Sequence, residues 1–410
     1  MQKKQYQILW LIISLTVLVV IALATIHQPV WGDERHTVET IQLFGASHWP
    51  QILFNYPEVT PPLFYVLYAA WGSIWGFDLE TLRIFSLIIA LAVFIMLYKT
   101  AFRFLQEAKT TFVVSLCFLI NPYILGLSGF VFTDMLTLFF ILCAIYFFEK
   151  KFYETAAGFA GLGLLCRQYV LFIVLAMWTM ALIMDLMKHT KRSSVRFSLS
   201  IAIASLPLMI CMYIWKGMAP PMGMARWIMP DEYTWNPHAL ITYIAFTGIY
   251  LLPIVLFTWR KSMQEWKLLL GALFCGAIYF VFPVKVSLVT HTQTAHDTVG
   301  LVHRALDFFV GHGIFESIIL YFFTCVGLWV LFVFILQDLA ALKHRNIQPQ
   351  TVLSFCYYFF LLIMPFSYQV WEKYLVLVWW AAAIRWTLTF AGTNLTQDQN
   401  AEYSLNLRPT

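Results

Sequence analysis

Charged residues are scarce in this sequence: they make up 11% of its 410 residues, against 61% that are hydrophobic. A soluble domain carries roughly 25% charged residues. So few charges cannot coat a water-facing surface of this size, which excludes a soluble globular protein and makes lipid the main solvent. The net charge of +5 is small and dispersed. Without a basic stripe, an Arg-rich tail or a nucleic-acid-binding motif, recognition of DNA or RNA is excluded. The seven cysteines contain no C-x-x-C pair and all lie in apolar stretches. They read as buried thiols rather than disulfides or metal ligands. Internal repeats and low-complexity segments are lacking as well.

Long apolar runs are what the sequence has instead. A helix needs ~20 residues to cross the hydrocarbon core. Candidate helices cover 7–27, 82–102, 110–127, 131–149, 155–168, 169–187, 197–215, 238–259, 267–284, 313–337, 350–366 and 374–390. The first run follows Lys3 and Lys4 and lacks a small-x-small cleavage site, so it is expected to stay as a first span rather than be removed as a signal peptide. The run 61–76 has only 16 residues and opens with Pro61-Pro62. It reads as a membrane-edge helix inside a long first external loop, 28–81.

Charge orients these spans. With the N-terminus in the cytoplasm, cytoplasmic segments hold 17 Lys and Arg and the opposite side holds seven: Arg35, Arg167, Lys216, Arg226, Lys285, Arg304 and Lys373. The positive-inside rule favours this arrangement. The expected fold is therefore all-α and polytopic, with about 11–13 helices. Residues 1–390 form one transmembrane domain, and 391–410 form a disordered cytoplasmic tail. Its Asn394-Leu-Thr396 sequon lies on the cytoplasmic side and escapes glycosylation.

The chemically distinctive residues gather on the external side. Trp31-Gly-Asp33-Glu34-Arg35-His36 follows the first helix, Asp134 opens another, and Arg167-Gln168 sits at a junction of two short helices. The segment 285–312 holds His291, His296, Asp297, His303, Arg304 and Asp307, and Tyr368-Gln369-Val-Trp-Glu372-Lys373-Tyr374 leads into the last helix. Ionisable groups near hydrocarbon are costly and usually face a cavity or a partner. Each also has a plain explanation. Asp33-Glu34 reads as solvated loop charge, Arg167 as a headgroup contact, Asp134 as a helix cap, and Glu372-Lys373 as a surface pair. The spacing His291-x4-His296 has no metal-ligand signature, and no metal is assigned. The functional reading rests on convergence.

One reaction suits carboxylates and cations on one membrane face. A lipid-phosphate-linked sugar arrives in the bilayer, and its phosphate needs cations as it leaves with growing negative charge. Arg167, Lys373 or a histidine supplies them. The acceptor hydroxyl needs a base, which Asp33 or Glu34 supplies. A carboxylate partly desolvated beside another has a raised pKa and is a better base.

At this point the residues resemble a family. The acidic pair after the first helix, the segment Pro61-Pro62-Leu-Phe-Tyr65, then Gly76 and Arg83, looks like the GT-C superfamily of membrane glycosyltransferases. The Pro-Pro-Leu-Phe-Tyr segment with its edge helix is similar to the lipid A aminoarabinose transferases and bacterial relatives of protein O-mannosyltransferases. Phe132-Thr-Asp134-Met135 matches that group's Leu-x-Asp-Met pattern. Asp33-Glu34-Arg-His36, Pro57-Glu-Val-Thr60-Pro-Pro62-Leu-Phe-Tyr65, Arg167-Gln168 and Glu372-Lys-Tyr374 resemble dolichyl-phosphate-glucose α-1,2-glucosyltransferases. The resemblance implies a polyprenyl- or dolichyl-phosphate sugar donor, inversion at the anomeric carbon, and a catalytic carboxylate in the first external loop.

The expected function is transfer of a monosaccharide from that donor to a glycan, lipid or protein acceptor on the periplasmic, extracellular or lumenal face. Of the catalytic pair Asp33 and Glu34, Asp33 is the expected base, and Glu34 with Asp134 binds acceptor or shapes the site. His36, Arg167 and Lys373 contact donor phosphate. Asp134, Gln168, Glu372 and Tyr65 bind substrate, and Glu372 orients Lys373 or Arg167. A transporter or flippase of lipid-linked sugars is the rival reading and predicts ionisable groups at the bilayer midplane. A non-catalytic membrane subunit is a third.

Overall fold

Helices account for all the regular structure among the described residues. The computed structural model describes residues 2–47, 50–188, 192–227, 235–284, 300–311, 313–367 and 370–391. The tail from 392 onward, the sequon, and His291, His296, Asp297, Tyr368 and Gln369 lie outside these residues.

The chain runs α1 (Gln2–Thr25), α2 (Glu34–Ala46), α3 (Leu63–Trp75), α4 (Leu79–Leu105), α5 (Ala108–Leu119), α6 (Pro122–Gly129), α7 (Thr133–Glu149) and α8 (Tyr153–Leu164). It continues through α9 (Leu171–Lys188), α10 (Arg192–Trp215), α11 (Pro221–Trp227), α12 (Pro237–Phe257), α13 (Trp266–Cys275), α14 (Leu301–Val310), α15 (Ile314–Lys343), α16 (Thr351–Ile363) and α17 (Val376–Phe390). Seven helical segments are long and apolar enough to cross a membrane, or eight if the bent pair α5–α6 is one span. The protein is thus an all-α, multi-pass membrane protein.

Several of the expected spans take a different form. The run 110–127 is not one straight helix: α5 and α6 meet at 68°. Proline cannot continue a helix but suits the first position of a new one. Pro122 takes that position, and the Asn121 side chain caps the new helix by accepting from the Tyr123 amide at 2.9 Å. The run 155–168 stops at Leu164 because the chain turns extended at Arg167. At 1.5 Å per residue, α8 is only about 18 Å long. The run 61–76 forms the 13-residue α3, with Ile74 and Trp75 exposed at its end. Gly76 follows at φ 112°, in the region glycine alone enters freely.

Burial follows helix position. The flanking helices α1, α10 and α13 bury few of their residues inside the bundle, as lipid-facing helices do, whereas α7 and α17 are almost entirely enclosed. Five of the seven cysteines are buried, but Cys117 is only partly so and Cys275 is exposed on α13. All seven are free thiols.

Two ends of the bundle carry most of the polar contacts. At one end Arg103 pairs with Glu149, and Arg196 pairs with Glu154 at 2.7 Å. Asp185 there accepts from the Ser194 amide at 2.6 Å and from its hydroxyl at 2.7 Å. Between α15 and α17, buried Arg385 reaches Asp338 at 2.9 Å and the Ser354 hydroxyl at 2.9 Å. The hydroxyl of Tyr358 completes that network by donating to Asp338 at 2.8 Å. The opposite end holds the candidate site.

Candidate active site

The site is assembled where α1 ends and α4, α7, α9 and α17 begin. Its foundation is Glu34 and Arg83, both with fully buried side chains. The Arg83 guanidinium forks onto Glu34, with Nε donating to Oε1 at 3.0 Å and Nη2 to Oε2 at 2.5 Å. Its Nη1 also donates to the carbonyls of Thr25 and Gln28 at 2.6 Å each, satisfying the open C-terminal end of α1. Glu34 accepts in addition from the amides of Trp31 at 3.1 Å and Val131 at 3.0 Å. Gly129 permits the last of these: a Cβ there would sit 2.7 Å from Ile21 and Thr25 of α1. One carboxylate therefore ties α1, α2, α4 and the segment before α7 together, with both oxygens engaged twice.

Asp33 is the neighbour of this knot and behaves differently. It occupies the N-cap of α2 but makes no capping hydrogen bond. Asp at that position normally accepts from its own helix. Here its Oδ2 instead accepts from Lys373 Nζ at 3.1 Å. The Asp33 side chain remains 41% exposed, while Lys373 is 12% exposed. The ammonium is further held over the rings of Trp371 at 4.2 Å and Phe132 at 5.3 Å.

This geometry corrects the expected electrostatics. Partial desolvation was expected to raise the carboxylate pKa. Burial does oppose ionisation of Asp33, but Lys373, then His36 and Arg167, outweigh it, and the carboxyl lies below its usual value. Lys373 is the mirror case: burial disfavours its charge, yet Asp33 and then Asp134 raise its pKa. The pair is a formed ion pair across the neutral range.

Arg167 forms the second cation position. It lies in the extended junction before α9, and its Nε donates to Thr133 Oγ1 at 2.6 Å. Its Nη2 approaches Asp134 Oδ2 at 3.4 Å, and its guanidinium lies 5.5 Å from the Tyr169 ring centroid and 5.7 Å from that of Tyr374. Asp134 is fully buried in the first turn of α7, and its Oδ1 has no hydrogen-bond partner among the described residues. The Tyr169 hydroxyl is likewise buried without one. Because Tyr374 follows Lys373 in one helical turn, Asp33, Lys373, Arg167, Asp134 and Tyr169 form one continuous cluster.

The remaining candidates hold the walls. His36 Nδ1 lies 2.7 Å from Glu58 Oε1, and its ring packs 4.9 Å from Trp227. Gln168 donates to the carbonyls of Val59 at 2.8 Å and Met218 at 3.0 Å, tethering two loops. Tyr65 is buried, with its hydroxyl 2.7 Å from that of Thr60. Glu372 accepts from the Tyr250 hydroxyl at 2.9 Å and from the Val302 amide at 3.0 Å. Sequence reasoning missed Tyr169, Tyr250 and the Glu58 partner of His36. It noted Arg83 but not its pairing with Glu34. Among the described residues no three His, Cys, Asp or Glu side chains converge to hold a metal.

The arrangement couples an accessible carboxylate to two buried cations at one end of a membrane-embedded bundle. No protein-family model and no curated protein matches the chain. Among solved structures, it is similar to the crystal structure of ArnT from Cupriavidus metallidurans in the apo state. That match has a TM-score of 0.45 and 13% identity, and covers 100% of this chain and 82% of that one. It is similar also to ArnT from the same organism bound to undecaprenyl phosphate, with a TM-score of 0.44 and 14% identity, over 98% of this chain and 80% of the other.

Proposed function

We propose that the protein is an inverting glycosyltransferase that moves a monosaccharide from a polyprenyl- or dolichyl-phosphate donor to an acceptor hydroxyl on the non-cytoplasmic face. The observation that carries this reading is the Asp33–Lys373 pair beside Arg167: a half-exposed carboxylate on a buried ammonium, with a guanidinium in the same cluster. The charge count of the loops supports the sidedness, and the motif resemblance at 31–83 supports the donor class.

In this reading the donor phosphate settles on Lys373 and Arg167. The arriving phosphodiester anion competes with Asp33 for Lys373, and the carboxylate is freed as its pKa rises toward that of a useful base. Asp33 then takes the acceptor hydroxyl proton as the oxygen bonds to the anomeric carbon. The bond from that carbon to the phosphate oxygen breaks on the opposite face, and the two cations stabilise the departing phosphate. Asp134 and Tyr169 offer a buried acceptor and a hydroxyl for the sugar. Glu34 serves as the anchor that fixes Asp33 rather than as a second base, because its oxygens are already spoken for by Arg83 and two backbone amides.

Asp33→Asn, assayed in nanodiscs with a panel of radiolabelled polyprenyl- and dolichyl-phosphate sugars, tests the reading. The expected result is loss of transfer by about 10²–10⁴-fold, the usual contribution of a general base, with donor binding kept. Normal transfer by that variant, or no donor binding by the unaltered protein, overturns it.

A further inference from the structure

We infer that α14 is a bilayer-interface helix whose N-terminus is clamped by Glu372, so that its seating in lipid positions Lys373 against Asp33. The helix is amphipathic over its ten residues. Val302 and Leu306, one turn apart, pack against the protein core. Phe308 and Phe309 point away from it and are 82% and 78% exposed. Their occupant is lipid. Ile314, Phe315, Ile318 and Phe322 of α15, a helix long and apolar enough to span, are exposed as well. Gly311 and Gly313, both at positive φ, let the chain turn from one helix into the other.

The other end of α14 is fixed to the site. The Leu301 amide donates to the Tyr123 hydroxyl at 2.8 Å. The Val302 amide donates to both oxygens of Glu372, at 3.0 and 3.2 Å. Gly300 is required by this clamp, since a Cβ there would lie 2.1 Å from Glu372 Oε1. Glu372 is buried and belongs to the same four-residue 3-10 turn as Lys373. That turn is a hub. Glu372 reaches α14, Lys373 reaches Asp33, and Tyr374 packs 5.3 Å from Tyr169. The three side chains leave one short turn, so a shift of its backbone that follows the Glu372 anchor carries Lys373 and Tyr374 with it. Glu372 is thus a positioning residue for Lys373, and α14 carries the state of the membrane interface to it.

Two readouts test this without any donor. A spin label at position 308, introduced as Phe308→Cys in a chain cleared of its native cysteines and placed in phospholipid nanodiscs, reports lipid or water through its relative relaxation by oxygen and a water-soluble nickel complex. The expected result is preferential relaxation by oxygen. Acylation of Lys373 by an amine-selective reagent, followed against pH by peptide mass spectrometry, reports its pairing. Glu372→Ala and Gly300→Ala are expected to raise the rate at pH 8 by about 10-fold, a shift of one pKa unit. Glu372→Gln, whose amide oxygen still accepts from Val302, is expected to keep the rate of the unaltered protein. Tyr123→Phe, which deletes the Leu301 acceptor together with a hydroxyl that also bonds to Glu372 but keeps the carboxylate itself, is expected to give an intermediate rate and to serve where Glu372→Ala does not fold. Water-side relaxation at position 308, or unchanged acylation in Gly300→Ala and Tyr123→Phe, overturns the inference.

Discussion

Asp33 and Lys373 are 340 residues apart in sequence and 3.1 Å apart in the fold. The contact joins the loop after the first helix to the turn before the last, so it forms only when the whole bundle has closed. It also sets the ionisation of the proposed base. Asp33 is depressed, so its contribution to stability is present above the unfolded carboxylate pKa and disappears as pH falls through the lower folded value. Lys373 is elevated, so its contribution is lost only as pH rises through a value above that of a free lysine. The pair is intact throughout the intervening range.

A pH prediction follows from that sign. Lys373→Ala removes the leading influence that lowers the Asp33 pKa and leaves burial, which raises it. The kcat/KM of the unaltered protein, which reports the free enzyme, should show no acidic limb from Asp33 between about pH 5 and 8, where a depressed carboxylate is fully ionised. Residual transfer by Lys373→Ala should acquire such a limb, displaced toward neutral pH. A kcat/KM profile of the variant that stays flat down to pH 5 would show that Lys373 does not control this carboxylate.

Glu34 and Arg83 should behave as structure rather than as chemistry. Removing one partner of a buried charge pair leaves the other uncompensated, typically at about 3–5 kcal/mol. Glu34→Gln and Arg83→Met are each expected to lower Tm strongly in detergent or nanodiscs. The double variant should lose less than the sum of the two, because the residues act as one unit. Equal loss of transfer at full thermal stability in Glu34→Gln would return Glu34 to the catalytic machinery.

Much of this arrangement was legible in the sequence. Ionisable residues in apolar surroundings, placed on one side by the charge rule, pointed to Asp33, Arg167, Asp134 and Lys373, and the fold brings those four together. Division of labour inside the acidic pair was not legible. Asp33 and Glu34 are adjacent and chemically alike. Only the three-dimensional path of α4 decides that Arg83 takes the second and leaves the first for Lys373. The break at Asn121-Pro122 carried a readable signal, a capping residue followed by proline. The Arg385–Asp338 pair carried one too, as lone charges within apolar helices. Glu372 was expected to orient Lys373 or Arg167. Its described partners, Tyr250 and the Val302 amide, lie on α12 and α14, and contacts to backbone amides leave no trace in a side-chain pattern.

The Arg385–Asp338 network lies away from the candidate site and separates folding from function. Asp338 accepts from Arg385 and Tyr358, so Asp338→Asn should lower Tm by weakening both bonds. Affinity for a polyprenyl phosphate should change by less than about twofold, as expected for independent distant sites. A loss of affinity comparable to that of Arg167→Ala, measured by lipid titration, would place this network in the transport path that the rival flippase reading requires.

Tyr169 yields the sharpest opposition between stability and activity. Its hydroxyl is buried without a described partner, and so is Asp134 Oδ1 beside it. An unsatisfied buried polar group costs about 1–3 kcal/mol. A ligand group or an ordered water that meets such an atom offsets that cost. Tyr169→Phe removes the hydroxyl and keeps the ring that lies against Arg167, so Tm should hold or rise. If the hydroxyl meets the donor sugar, affinity for the sugar-bearing lipid phosphate should fall by about 10-fold, the value of one well-made hydrogen bond near a charged group. Affinity for the bare polyprenyl phosphate should stay unchanged, since the proposed arrangement rests its phosphate on Lys373 and Arg167. Competition binding with both lipids separates the cases. Equal weakening of both would place Tyr169 at the phosphate, and unchanged binding of both with a raised Tm would leave its hydroxyl without a part in recognition.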